Sequence, residues 1–171
     1  TPSWSPDGDW IAYYKVDPQA TANSDTSQDP NVMEVQLKIA SPDCAEQEIL
    51  QVIDWANDDS DTIANIMLSR PVWSQDAETL FFDRYLSQDE EYEICSIDVA
   101  NRQVRSHITS PYNIPIVSPD GNWLTSFADE GKRVILTDIS GETEMRFEIG
   151  LQDNEELIPD VGVLWSQDSK T

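Results

Sequence analysis

A five-residue corner recurs along this chain, and its spacing leaves few architectures open. Trp4-Ser5-Pro6-Asp7-Gly8 runs into Asp9-Trp10-Ile11-Ala12-Tyr13-Tyr14, and Val117-Ser118-Pro119-Asp120-Gly121 runs into Asn122-Trp123-Leu124-Thr125-Ser126-Phe127. Looser copies stand at Trp73-Ser74-Gln75-Asp76-Ala77, ahead of Leu80-Phe81-Phe82, and at Trp165-Ser166-Gln167-Asp168. Position 117 lies 44 residues after 73, and 165 lies 48 after 117. A period of about 40–50 residues is that of one four-stranded unit in a repeat of stacked sheets. From 4 to 73 is 69 residues, so the first unit carries insertions, placed at the Asp-, Ser- and Asn-rich stretches 17–31 and 54–61.

The corner has a physical logic. Proline presets φ for the second position of a type I turn, Asp suits the third, and Gly takes the left-handed conformation that closes the hairpin. Where Ala77 and Ser169 replace Gly, the turn is expected to differ; an Ala77 at positive φ costs about 1 kcal/mol. After each corner come a short strand, a polar gap and a third strand ending in Asp, at 93–99 and 133–139. A fourth strand follows at 103–108 and 143–149, both alternating with the period of two of a half-buried strand. The first unit offers 32–39 and 47–53 in those places. The best helical stretch, 46–56, contains β-branched Ile49, Val52 and Ile53 and is expected as strand.

The fold expected is therefore all-β: one domain of three four-stranded antiparallel units, about 1–69, 70–113 and 114–160, with the first strand of a fourth in 161–171. At 39% hydrophobic and 9% aromatic residues the chain is too apolar for disorder despite a net charge of -23. Ten Lys+Arg against 33 Asp+Glu repel nucleic acid and anionic lipid, which are held by clustered cations. No apolar run approaches the roughly 20 residues that span a bilayer. Cys44 and Cys95 lack C-x-x-C spacing and are expected as unpaired thiols, Cys95 inside an apolar strand.

A Trp-Ser-Pro-Asp-Gly corner, then an apolar strand, then a strand ending in Asp, resembles the WD-like repeats of TolB-type β-propellers. It is also similar to the propellers that precede the catalytic domain in prolyl oligopeptidase and dipeptidyl-peptidase type serine peptidases. The resemblance spans nearly the whole chain. It implies one antiparallel sheet per blade, a central channel and a periplasmic or extracellular setting. Propellers close with about four to eight blades, so three blades and an opening strand are expected either to be a piece of a larger protein or to associate through their open edges.

Chemistry is sparse. His107 is the single imidazole, no G-x-S-x-G elbow accompanies it, and it is read as structural or surface. One His and two scattered Cys cannot supply a zinc site. Asn57, Asp59 and Asp61 alternate in the manner of oxygen ligands for Ca²⁺, without the Gly and Glu of an EF-hand loop, and a solvated acidic loop is the preferred reading. Asp7, Asp76, Asp120 and Asp168 repeat with the blades and are assigned to the turns. Trp4, Trp73 and Trp165 are assigned to packing between blades; Trp55, beside an insertion, is the aromatic placed for ligand contact. No catalytic group and no cofactor is expected. The function expected is a noncatalytic scaffold for a protein or peptide partner with a basic surface, ahead of two alternatives: part of a peptidase's regulatory propeller, and a carbohydrate-binding propeller.

Overall fold

The computed structural model describes residues 2–16, 32–56, 70–86, 91–110, 116–128, 133–140, 144–148 and 165–166. Within them lie twelve strands: β1 (Ser3–Trp4), β2 (Ile11–Val16), β3 (Val32–Ala40), β4 (Gln47–Ala56), β5 (Val72–Trp73), β6 (Thr79–Leu86), β7 (Glu91–Asp98), β8 (Val104–Ser110), β9 (Ile116–Val117), β10 (Trp123–Ala128), β11 (Arg133–Asp138) and β12 (Glu144–Glu148). They form three antiparallel sheets, β1-β2-β3-β4, β5-β6-β7-β8 and β9-β10-β11-β12, each a meander of sequential neighbours. These are the three blades.

The registers superimpose. Ile11 pairs with Trp4 and Ala40, Leu80 with Trp73 and Ile97, and Leu124 with Val117 and Thr137. Trp4, Trp73 and Val117 thus hold one position in three blades, as do Ile11, Leu80 and Leu124. The stretch expected at 47–53 runs on to Ala56, which takes in the first three residues of the stretch 54–61, and the rest of that stretch lies outside the described residues; Val32–Ala40 pairs with it along its length through a bulge at Leu37/Lys38. Of the opening strand expected at 161–165, only Trp165 lies among the described residues, and it is in no strand. The insertion at 17–31 lies outside them.

Alternation sorts each strand between two faces. Trp10, Ala12, Tyr14 and Val16 of the first blade, with Val35, Leu37, Ile39, Leu50 and Ile53, meet Trp73, Leu80, Phe82, Cys95 and Ile97 of the second in one apolar cluster. The opposite face of the second blade, Val72, Phe81, Ile94 and Ile108, meets Val117, Leu124 and Ile139 of the third in a smaller one. The second blade is therefore buried on both faces, which is why its strands read as nearly continuous apolar runs. Trp73 crosses the first seam, its Nε1 donating to the main-chain oxygen of Ser3 at 3.1 Å.

The shared aromatic position does not share an environment. Trp73 is 8% exposed and Trp4 is 59% exposed. The side of the first blade that carries Trp4 faces away from the second, and among the described residues no sheet lies against it. Trp165 is half-buried.

Candidate functional site

The hairpin corners set the rims of the blades, and four of them share one hydrogen-bond scheme. In the first, the Ser5 hydroxyl donates to Asp7 Oδ1 at 2.5 Å and accepts from Trp10 N–H at 2.9 Å, while Asp9 N–H donates to Asp7 Oδ1 at 3.1 Å. Ser74 with Asp76 and Ser118 with Asp120 repeat it, the hydroxyl-to-carboxylate distance being 2.6 Å in each. The fourth joins β3 to β4: Ser41 Oγ donates to Asp43 Oδ1 at 2.7 Å and accepts from Glu46 N–H at 3.0 Å. Sequence reading missed this copy, although Ser41-Pro42-Asp43 repeats the tripeptide, because no Trp precedes it and Cys44 stands where Gly is expected.

Positive φ follows the Asp in all four, at Gly8 (80°), Cys44 (58°), Ala77 (61°) and Gly121 (73°). Ser and Asp define the corner; Pro and Gly ease it. The Ser hydroxyl first, and then the main-chain N–H, holds the carboxyls of Asp7, Asp43 and Asp76 below the usual carboxylate range. Asp98 organises the β7–β8 turn differently, its Oδ1 accepting from the N–H groups of Ala100 and Asn101. Arg102 there adopts φ 62°.

Between the second and third blades these rims bound a cleft of about 740 Å³. Asp76, Asp98 and Asp120 stand at it, with Arg105 as the one Lys/Arg side chain among its described lining residues; Phe81, Ser96, His107 and Ile139 line it deeper. His107 bridges the seam. Its Nδ1 lies 3.0 Å from the Ile139 carbonyl oxygen of the third blade, and its Nε2 lies 2.8 Å from Ser96 Oγ of the second. A carbonyl only accepts, so Nδ1 carries the proton and the neutral ring takes the Ser96 hydroxyl at Nε2. Burial pushes the His107 pKa down, against the pull of the Ile139 carbonyl.

Ser96 and His107 stand at the distance of a nucleophile and its base. Ser96, however, sits inside β7, paired with Phe81 on one side and Arg105 on the other. Its neighbouring N–H groups belong to the sheet ladder rather than to an oxyanion hole. The Ser96–His107 bond lies within the second blade and orients the ring whose other nitrogen crosses the seam to Ile139.

Elsewhere, Arg84 and Glu93 face each other across β6 and β7 at 2.5 Å. Burial works to raise the Glu93 carboxyl, but hydrogen bonds from Ser106 and Arg84 and the Arg84 charge outweigh it and leave it lowered. Beside it, burial pushes the Cys95 thiol up to about 12, far from a reactive thiolate. Both cysteines are free, Cys44 exposed and Cys95 buried. Tyr14 OH donates to the buried Asp83 at 2.8 Å across the first seam. The backbone of Trp55 pairs with Met33 near the end of β4. Asn57, Asp59, Asp61 and Asp168 lie outside the described residues. Among the described residues no three His, Cys, Asp or Glu group as metal ligands, and no helix is long and apolar enough to cross a membrane.

No protein-family model matches this chain, and no curated protein matches its sequence. Solved structures do. TolB from Acinetobacter baumannii is similar over 88% of this chain and 32% of its own, with a TM-score of 0.61 and 17% identity. The β-propeller domain of the Trilobed protease from Pyrococcus furiosus is similar over 86% of this chain and 41% of its own (TM-score 0.55, 16% identity). A dipeptidyl aminopeptidase IV from Bacteroides ovatus is similar over 82% and 22% (TM-score 0.52, 14% identity). The chain thus spans well under half the length of each of these structures. At such identities the likeness fixes the fold, that of a TolB-like β-propeller, as the repeated corners had implied.

Proposed function

We propose that this chain is a noncatalytic β-propeller module that holds a cationic peptide segment of a partner protein in the cleft between its second and third blades, in an extracytoplasmic setting. The observation that carries this reading is the cleft itself: about 740 Å³ of space with Asp76, Asp98 and Asp120 around it and Arg105 as the one Lys/Arg side chain among its described lining residues. Rigid hairpins present these groups, as recognition loops on a scaffold commonly are. The lowered Asp76 carboxyl is ionised at neutral pH, and the net charge of -23 supplies a field that draws cations.

Calorimetric titration of the chain with a Lys/Arg-rich peptide tests the proposal. Binding is expected to weaken at least tenfold between roughly 50 and 500 mM salt, where the screening length shrinks to a few ångströms. Gln75→Trp, placed on an exposed rim position of the cleft, should weaken it comparably with an unchanged circular dichroism spectrum. Equal affinity for an acidic peptide, or indifference to Gln75→Trp, would overturn it. A second reading, part of the regulatory propeller of a serine peptidase, draws on the likeness to the Trilobed protease propeller and the dipeptidyl aminopeptidase. A G-x-S-x-G elbow encoded in the same gene would carry that reading.

A further inference from the structure

One wall of the cleft is a grid of side chains on the second blade. Phe81, Ser96 and Arg105 stand opposite one another on β6, β7 and β8, and Thr79 and Asp98 pair one row nearer the corners. The register shift at Ile94/Cys95 leaves His107 as an extra residue of β8 and turns its ring to the same wall, where it meets Ser96. Arg105 differs from its neighbouring arginines. Arg84 of β6 closes on Glu93, and Arg102 of the β7–β8 turn closes on Glu48. Arg105 is exposed and makes no ion pair or side-chain hydrogen bond among the described residues. The carboxylates around it are committed to their own turns. Asp76 Oδ1 takes the Ser74 hydroxyl at 2.6 Å and Glu78 N–H at 3.0 Å, and Asp120 Oδ1 takes the Ser118 hydroxyl at 2.6 Å and Asn122 N–H at 3.1 Å. Asp98 accepts from Asn101 with both oxygens.

The cleft is therefore polarised. Asp76 and Asp120 lie at the corners that lead into β6 and β10, while Arg105 stands on β8, two strand spacings or roughly 10 Å across the blade from β6. Burial and, after it, the Arg105 charge hold the His107 pKa down against the Ile139 carbonyl, so at neutral pH the ring adds no second cation to this wall. A ligand that carries cations alone meets the carboxylates but is opposed by Arg105, whose planar fork of donors fits a carboxylate with two parallel bonds. We infer that the segment held here, on the reading of the cleft as a site for a cationic peptide, is dipolar: its cations meet Asp76 and Asp120, and a carboxylate closes on Arg105. That carboxylate belongs to an Asp or Glu side chain or to a free C-terminus. An extended chain covers roughly 10 Å in about three residues, which sets its place relative to the cations. Arg105 then selects among basic segments, a choice that the aspartates do not make.

Calorimetric titration at neutral pH with peptides that differ in one group tests this. The reference peptide is capped at both ends and carries a pair of lysines followed, about three residues on, by a glutamine. One partner peptide has glutamate in place of that glutamine; another ends at the glutamine in a free carboxylate. The chain should hold at least one of these partners about tenfold more tightly than the reference, the gain expected of charge-assisted hydrogen bonds. Which of them gains identifies the source of the carboxylate. Arg105→Gln should abolish that gain and, by removing an opposing cation, tighten the reference peptide about twofold. Arg105 is exposed, so the circular dichroism spectrum should not change, and the comparison of peptides on the wild type stands without the variant. Equal affinity of the wild type for all three peptides overturns the dipolar ligand and leaves the cationic-peptide reading in place. Failure of all three to bind takes both down. A gain that survives Arg105→Gln overturns the role given to Arg105.

Discussion

The two seams of the stack differ in kind. The first, between β1–β4 and β5–β8, is dry: eleven buried residues among the described ones interdigitate from both blades, with Phe82, Leu80, Leu37 and Ile39 at or near zero exposure. The second, between β5–β8 and β9–β12, has three buried cluster residues among the described ones, Phe81, Ile94 and Leu124, and beside them a cleft, a histidine and a serine. Apolar burial at about 25 cal/mol per Å² makes the first seam the one that holds the blades together. The second gives up that stabilisation for polar surface and space, and it is there that a ligand has room. Adjacent phenylalanines of one strand, Phe82 and Phe81, report on the two sides.

Phe82→Ala should be the most damaging single change, about 3–5 kcal/mol, because the void opens among residues that cannot collapse and no water can enter it. Phe81→Ala removes an equal side chain beside the cleft, where water can take the space. It should cost about 1–2 kcal/mol less. Urea unfolding of both variants measures the gap; equal losses would erase the distinction between a dry and a wet seam.

Next in size is His107→Leu, which strips partners from the Ser96 hydroxyl and the Ile139 carbonyl and should cost about 1–3 kcal/mol. It also carries a pH signature. The folded His107 pKa lies below its ordinary 6.5, so between the two values the unfolded chain binds the extra proton and stability falls as pH falls. Above 6.5 both states are neutral and the contribution is complete. Asp7, Asp76 and Glu93, also lowered, lose theirs only below their ordinary 3.8 to 4.5. The wild type should therefore weaken relative to His107→Leu as pH drops through the window just below 6.5, measured by urea midpoints at several pH values. Parallel curves would mean that the ring is not held neutral.

The corners separate what could be read in the sequence from what could not. Trp-Ser-Pro-Asp-Gly is local chemistry, a hydroxyl, a carboxylate and a preset φ within five residues, and so the hairpins and blade count were legible. Ser41-Pro42-Asp43-Cys44 was overlooked because the reading leaned on the flanking Trp and Gly rather than on the Ser and Asp that make the bonds. The seams were far less legible. Whether position 4, 73 or 117 is buried depends on which sheet lies against it, and no pattern within the strand records that. Hence Trp4 was grouped with Trp73, and the cleft, built by Asp76, Asp98 and Asp120 from three different turns, went unseen.

If corner strain is local, it should not depend on which seam a corner borders. Gly121→Ala adds a Cβ that meets nothing within 4 Å, so its cost is backbone alone, about 1 kcal/mol at φ 73°. Ala77→Gly, on the facing rim of the same cleft, should stabilise by about 0.5 kcal/mol, the relief at φ 61° being partly offset by the greater freedom of an unfolded glycine. Thermal midpoints of the two variants should move in opposite directions. Movement in the same direction would show that the rims are coupled through the cleft.

The smallest effect belongs to the one ion pair found across the dry seam among the described residues, Glu48 of β4 with Arg102 of the β7–β8 turn. It bridges the blades where they are most tightly joined, yet both side chains are more than a third exposed, and exposed pairs contribute about 0.2–1 kcal/mol before screening. Glu48→Gln removes that attraction and at the same time takes one negative charge from a chain that carries 23 in excess, which eases the self-repulsion of the folded state. The two terms oppose, so the change in stability should stay within about 0.5 kcal/mol and shrink further with added salt. A loss several times larger, insensitive to salt, would mean that the first seam depends on this contact rather than on its apolar interior.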